Sequence, residues 1–184
     1  MRSNLNKTLL IGIIFSILSS MFIVTAAANG VNIFGDTIIS VEYSELTRDA
    51  QKQVDCLAEN IYHEAKSESK KGQIAVAIVT LNRVVDGRFP QDICGVVKQR
   101  TKNSESGKIV CQFSWNCMRV TLNRNSEYYQ QALRHALHVY ANYDLIEDFT
   151  KGSLYYHADY VNPGWKLHKT VKIGRHIFYK EGRK

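Results

Sequence analysis

Cys56-Leu57-Ala58-Glu59-Asn60-Ile61-Tyr62-His63-Glu64-Ala65, followed after a polar break by Gly72-Gln73-Ile74-Ala75-Val76-Ala77, is the stretch on which the reading of the fold turns. At helical spacing Leu46, Ala50, Val54, Leu57, Ala58, Ile61 and Ala65 form one apolar stripe, which predicts an amphipathic helix from about Ser44, its cap, to Lys66. Glu64 breaks the pattern. It falls at the edge of the buried face and in the last turn, where the helix dipole disfavours a carboxylate. A carboxyl placed there is expected to hold its proton above the ordinary range, as a general acid must; a half-exposed Glu at a helix border is the plainer reading.

Working outward, Ile74 to Val84 is apolar on nearly every side, so a helix from about Lys70 to Val85 is expected at the centre of the domain. Gly-Arg-Phe-Pro at 87–90 ends it, and Gln91 to Gln99 reads as a short third helix. Arg100 to Arg124 reads as a long polar loop that carries Gln112-Phe113-Ser114-Trp115-Asn116. Aromatic rings beside amides and hydroxyls suit a sugar-binding wall, although Phe113 and Trp115 could equally pin the loop to the core. Ser126 caps a fourth helix from about Glu127 to Asn142, in which His135 and His138 read as packing or surface rather than ligands. Gly152 to Asp159 and Thr170 to Lys180 read as two strands separated by Asn162-Pro163-Gly164-Trp165, and Gly174 in the second implies a bulge or a close backbone approach. Helices first and a small antiparallel sheet last make an α+β domain.

Arg2 and Lys7 precede an uncharged run from Thr8 to Ala28, which ends in Ala26-Ala27-Ala28. That pattern predicts a signal peptide over residues 1–28 or, uncleaved, a membrane anchor; 29–43 reads as a linker and 44–184 as one domain. Either way the domain is expected outside the cytoplasm, in the periplasm, the cell envelope or the medium. The formal net charge of +7 and a pI of about 9.2 suit a polyanionic partner: cell wall, nucleic acid or a membrane surface. Cys56, Cys94, Cys111 and Cys117 make an even count, which in an exported domain favours two disulfides with the connectivity left open. Zinc is disfavoured. Cys111 and Cys117 with His135 and His138 lack finger spacing, and position 67 is Ser where the helical zinc-protease motif needs His. No metal or other cofactor is expected.

Leu57-Ala58, Ile61-Tyr62-x-Glu64-Ala65, Glu68, Gly72-Gln73-x-Ala75-Val76-Ala77, Leu81-Asn82-Arg83-Val84, Phe89-Pro90, Ile93-Cys94-x-Val96-Val97 and Gln112-Phe113-Ser114 follow one another in order. Tyr155-Tyr156-His157, Pro163-x-Trp165 and Ile173-Gly174-x-His176-x-Phe178-Tyr179 continue the series. Together they resemble the SleB/CwlJ cell wall hydrolase family, to which the spore cortex-lytic enzymes belong, over about residues 55–180. The departures are Lys66 for a common Arg, Lys98 for a frequent Tyr, and Met118-Arg119 for the usual Asp-Gly. The resemblance implies a lysozyme-like helical domain with a small sheet, acting on peptidoglycan glycan strands, with Glu64 as the catalytic acid; a monomer is expected.

Gln112, Phe113, Ser114, Tyr156, His157 and His176 are then expected to line one groove around Glu64, with Trp165 as a further sugar-stacking ring. Glu68 is the sequence candidate for a second carboxylate, and a cap on the following helix is its structural alternative. With a second carboxylate in the cleft the enzyme would be a hydrolase. Without one, Glu64 would act as acid and then as base, giving a 1,6-anhydro product by lytic transglycosylation, as the resemblance implies for the spore enzymes. Two other classes fit less of the chain: a wall-binding or polyanion-binding module without catalysis, and a zinc amidase.

Overall fold

The computed structural model describes residues 39–182 apart from 105 and 119. The expected signal or anchor segment lies outside the described residues. Helix α1 runs Arg48–Ala65, α2 Lys70–Val85, α3 Ile93–Val97 and α4 Glu127–Asn142. Strands β1 (Arg100–Lys102) and β2 (Ile109–Cys111) form one antiparallel hairpin, and β3 (Tyr155–Ala158), β4 (His168–Ile173) and β5 (His176–Lys180) form a second sheet in the order β3-β5-β4. This is the α+β architecture expected.

Local chemistry sets the helix ends. The side chains of Thr47, Ser69, Asp92 and Ser126 each accept from a backbone N–H three residues on, satisfying donors that the first turn leaves unpaired. The cap of α1 is therefore Thr47 and not Ser44, which lies in the short 3-10 turn Tyr43–Glu45. Helices α2 and α4 occupy the expected ranges; α3 is shorter, because the Asp92 cap starts it two residues late.

The reason α2 is apolar all round is that it is the middle layer. Ile74, Ala77, Ile78 and Leu81 face Val54, Leu57, Ala58 and Ile61 of α1 and Ala132, Ala136 and Val139 of α4. Ala75 and Val79 face Ile173 and Phe178 of the sheet. Each buried Leu, Ile or Val contributes about 1.5–3 kcal/mol through removal from water, so Val79→Asp would uncouple sheet from helices. Asn82, in the last turn of α2, donates to the Asp148 carboxylate and the Ser153 carbonyl, each at 3.1 Å, and accepts from the Tyr143 hydroxyl at 2.7 Å. That buried polar knot anchors the chain leading into β3.

Two expectations about extended structure need correction. The segment 100–124 is not all loop: Arg100 pairs with Cys111 and Lys102 with Ile109, and a 3-10 turn follows at Ser114–Cys117. Thr170 to Lys180 is not one strand but a hairpin, reversed at Gly174, whose φ is +55°. An L side chain adopts that φ only with strain. The sheet has three strands in place of two.

Candidate active site

Glu64 stands one residue before the end of α1, half buried, at the bottom of a cleft lined also by Arg83, Cys111, Gln112, Phe113, Ser114 and Tyr156. Burial raises its carboxyl above the ordinary carboxylate range, against the opposing pull of the Tyr156 hydrogen bond and the Arg83 charge. The Tyr156 hydroxyl donates to Glu64 Oε2 at 3.3 Å. That phenol is itself pushed well above its usual value, by burial first and then by the Glu64 charge, so it stays protonated and remains a donor.

Four elements build the cleft. Helix α1 supplies Glu64, α2 supplies Arg83, β3 brings Tyr156 over the carboxyl, and the end of β2 with the chain leaving it supplies Cys111, Gln112, Phe113 and Ser114. The wall is fixed from behind. Gln112 donates its N–H to the Gln99 carbonyl at 2.9 Å, Asn116 Nδ2 donates to the Val97 carbonyl at 2.5 Å, and Phe113 is 4% exposed within the core. A Cys111–Cys117 disulfide closes the turn, and a Cys56–Cys94 disulfide joins α1 to α3. All four cysteines are thereby paired, which settles the connectivity. Beside the cleft, Trp115 stacks on His63 with ring centroids 4.4 Å apart, and burial and the Lys66 charge hold His63 below its usual value.

Strand alternation separates the remaining expected residues. Tyr156, His176 and Phe178 share the face toward the helices, with the Tyr156 and His176 rings 5.2 Å apart. His176 packs behind Tyr156 and is not among the cleft-lining residues. His157 lies on the opposite face, where its Nε2 meets the Tyr179 hydroxyl at 2.9 Å and its ring stacks on Tyr179. Trp165 packs there as well, edge-on to Tyr155, His157 and Tyr179. One expected groove thus divides: Gln112, Phe113, Ser114 and Tyr156 meet Glu64, while His157, Trp165 and His176 do not.

Glu68 takes neither expected part. Ser69 caps α2, and the Glu68 carboxylate turns to the β4–β5 reversal, accepting from the Arg175 N–H at 3.2 Å. The residue that sequence reasoning passed over is Arg83. It lines the cleft, yet in the sequence it was one letter of a motif; its signal was a lone cation in the last turn of a helix apolar on every side.

Helices enclosing a cleft with one half-buried carboxyl, closed by a small antiparallel sheet, define a class, and the sequence agrees: the chain belongs to the cell wall hydrolase family, whose model matches residues 67–179. That match begins three residues after Glu64. Among curated relatives, spore cortex-lytic enzymes of Bacillus cereus and Oceanobacillus iheyensis are 40% identical over 48 residues, 26% of this chain. The aligned part spans only 18% and 17% of those relatives' own length. Among solved structures, the catalytic domain of the germination-specific lytic transglycosylase SleB of Bacillus anthracis is 26% identical with a TM-score of 0.52, covering 74% of this chain and 98% of that one. The SleB catalytic domain of Bacillus cereus is 28% identical, with a TM-score of 0.49, over 71% of this chain and 91% of that one.

Proposed function

We propose that this protein cleaves the glycan strands of peptidoglycan by lytic transglycosylation, with Glu64 as both acid and base. The observation that carries the reading is that, among the described residues lining the cleft, Glu64 is the only carboxylate and is held toward its protonated form. Hydrolysis through two carboxyl groups needs a partner about 5–9.5 Å away across the scissile bond. Glu68 is committed to Arg175 instead.

In this reading Glu64 gives its proton to the glycosidic oxygen as the C1–O bond breaks, and the bonding pair leaves with that oxygen. The carboxylate then takes the proton of the muramic acid C6 hydroxyl as O6 bonds to C1, which closes the 1,6-anhydro ring and restores the acid. Tyr156 keeps Oε2 oriented throughout, and Gln112 and Ser114 present polar groups to the sugar hydroxyls. Kinship with cell wall hydrolases and structural likeness to a lytic transglycosylase domain support the substrate class. Two disulfides suit the oxidising space outside the cytoplasm, where the wall lies.

Glu64→Gln is expected to fold and bind purified walls while glycan cleavage falls by at least about 100-fold. Chromatography of the parent's digest should show anhydro-muramyl ends. Reducing ends that incorporate labelled water would instead mean a hydrolase, and near-native turnover of the Gln variant would remove Glu64 from the chemistry.

A further inference from the structure

Arg83 is 2% exposed, and its charge has no task in the two steps above. Removing a guanidinium from water is costly unless it is fully paired, and this one is paired only in part. Nε donates to the Leu154 carbonyl at 2.7 Å, and the rings of Phe89, Phe113 and Tyr155 lie 5.4, 5.4 and 5.8 Å from its Cζ. Nη1 is buried without an acceptor, and among the described residues no carboxylate lies within ion-pair distance. The carboxylate whose field it shares is Glu64, on the wall of the same cleft.

Resting on the reading of Glu64 as acid and base, we infer that Arg83 is a positioning residue for that carboxyl: its fixed charge stabilises the anion Glu64 becomes between the two proton transfers. The separation is what makes this work. A guanidinium bonded directly to Glu64 would strip the proton from the resting enzyme, whereas burial without any cation would make the intermediate carboxylate too costly to form. Arg83 Nε is held by the Leu154 carbonyl and the guanidinium lies among the three rings, outside ion-pair distance of Glu64. Its charge acts through the cleft in both protonation states and favours only the ionised one. Among the described residues no other charge acts on Glu64. Tyr156 from β3 stays neutral, Gln112, Phe113 and Ser114 do not titrate, Cys111 is in a disulfide, and His63 on α1 is turned to Trp115 with its own value lowered.

The test is a titration of the Glu64 carboxyl by carbon-13 NMR in the folded protein, its signal assigned by loss in Glu64→Gln. In Arg83→Gln and in Arg83→Met, which fills the same ring cage without charge, the Glu64 value is expected to rise by roughly one unit or more. The alkaline limb of the rate profile on purified walls should move with it, and kcat should fall. Arg83→Lys, keeping the charge, should hold the titration nearer the parent's. Either uncharged variant, folded by circular dichroism but with Glu64 titrating as in the parent, would overturn the inference. Because the titration needs no turnover, that failure is distinct from the failure of Glu64 as catalyst, which Glu64→Gln reports alone.

Discussion

At the scale of the residue, the feature that suits Glu64 to acid catalysis also weakens the fold. Burial holds its folded value above the ordinary 4.5, so the folded protein keeps a proton that the unfolded chain has released. The contribution of Glu64 to stability is therefore fully present below about 4.5, and is lost as pH rises through the raised folded value. Glu64→Gln, uncharged throughout, is expected to melt with the parent near pH 4 and a few degrees above it near pH 8. Parallel melting curves at every pH would mean that the carboxyl is not strained by burial. The position was legible in the sequence because it interrupts a periodic stripe. The role of Arg83 was not, because its partners, the Leu154 carbonyl and rings at 89, 113 and 155, are far from it along the chain.

At the scale of the element, the joint between α1 and α2 is tied to the sheet through Glu68 and the β4–β5 reversal. A Cβ on Gly174 would lie 1.9 Å from Glu68 Oε2, and φ there is +55°. Gly174→Ala must therefore adopt a left-handed backbone and also push the carboxylate off the Arg175 N–H, for a combined loss of roughly 1–3 kcal/mol. Urea unfolding measures it; a midpoint equal to the parent's would show that the turn relaxes freely. Glycine at 174 did announce a close approach in the sequence. What approached was hidden, since Glu68 lies over a hundred residues away at a helix joint. Alternation within β3 and β5 likewise divided the expected sugar ligands, sending Tyr156 to Glu64 and its neighbour His157 to the far face.

At the scale of the whole molecule, two disulfides do different work. Cys56–Cys94 spans 38 residues and joins two core helices, so Cys56→Ala with Cys94→Ala is expected to lower stability by about 4 kcal/mol in the chain-entropy account. Cys111–Cys117 spans 6, a loss of about 2 kcal/mol, yet it frames the cleft wall, so its removal should depress wall lysis more than it depresses the unfolding midpoint. An unmoved midpoint for the first pair, or unaltered turbidity loss for the second, would contradict these assignments. By itself the sequence determined the layered helices, the bounds of α2 and α4 and the pairing of every cysteine in some disulfide. Apolar period, capping side chains and cysteine count all act through neighbours or composition. Tertiary structure alone decided which cysteine meets which, that the last segment folds back as a hairpin, and which face of β3 looks on Glu64. Those outcomes depend on register and packing between segments distant along the chain, and no local preference encodes them.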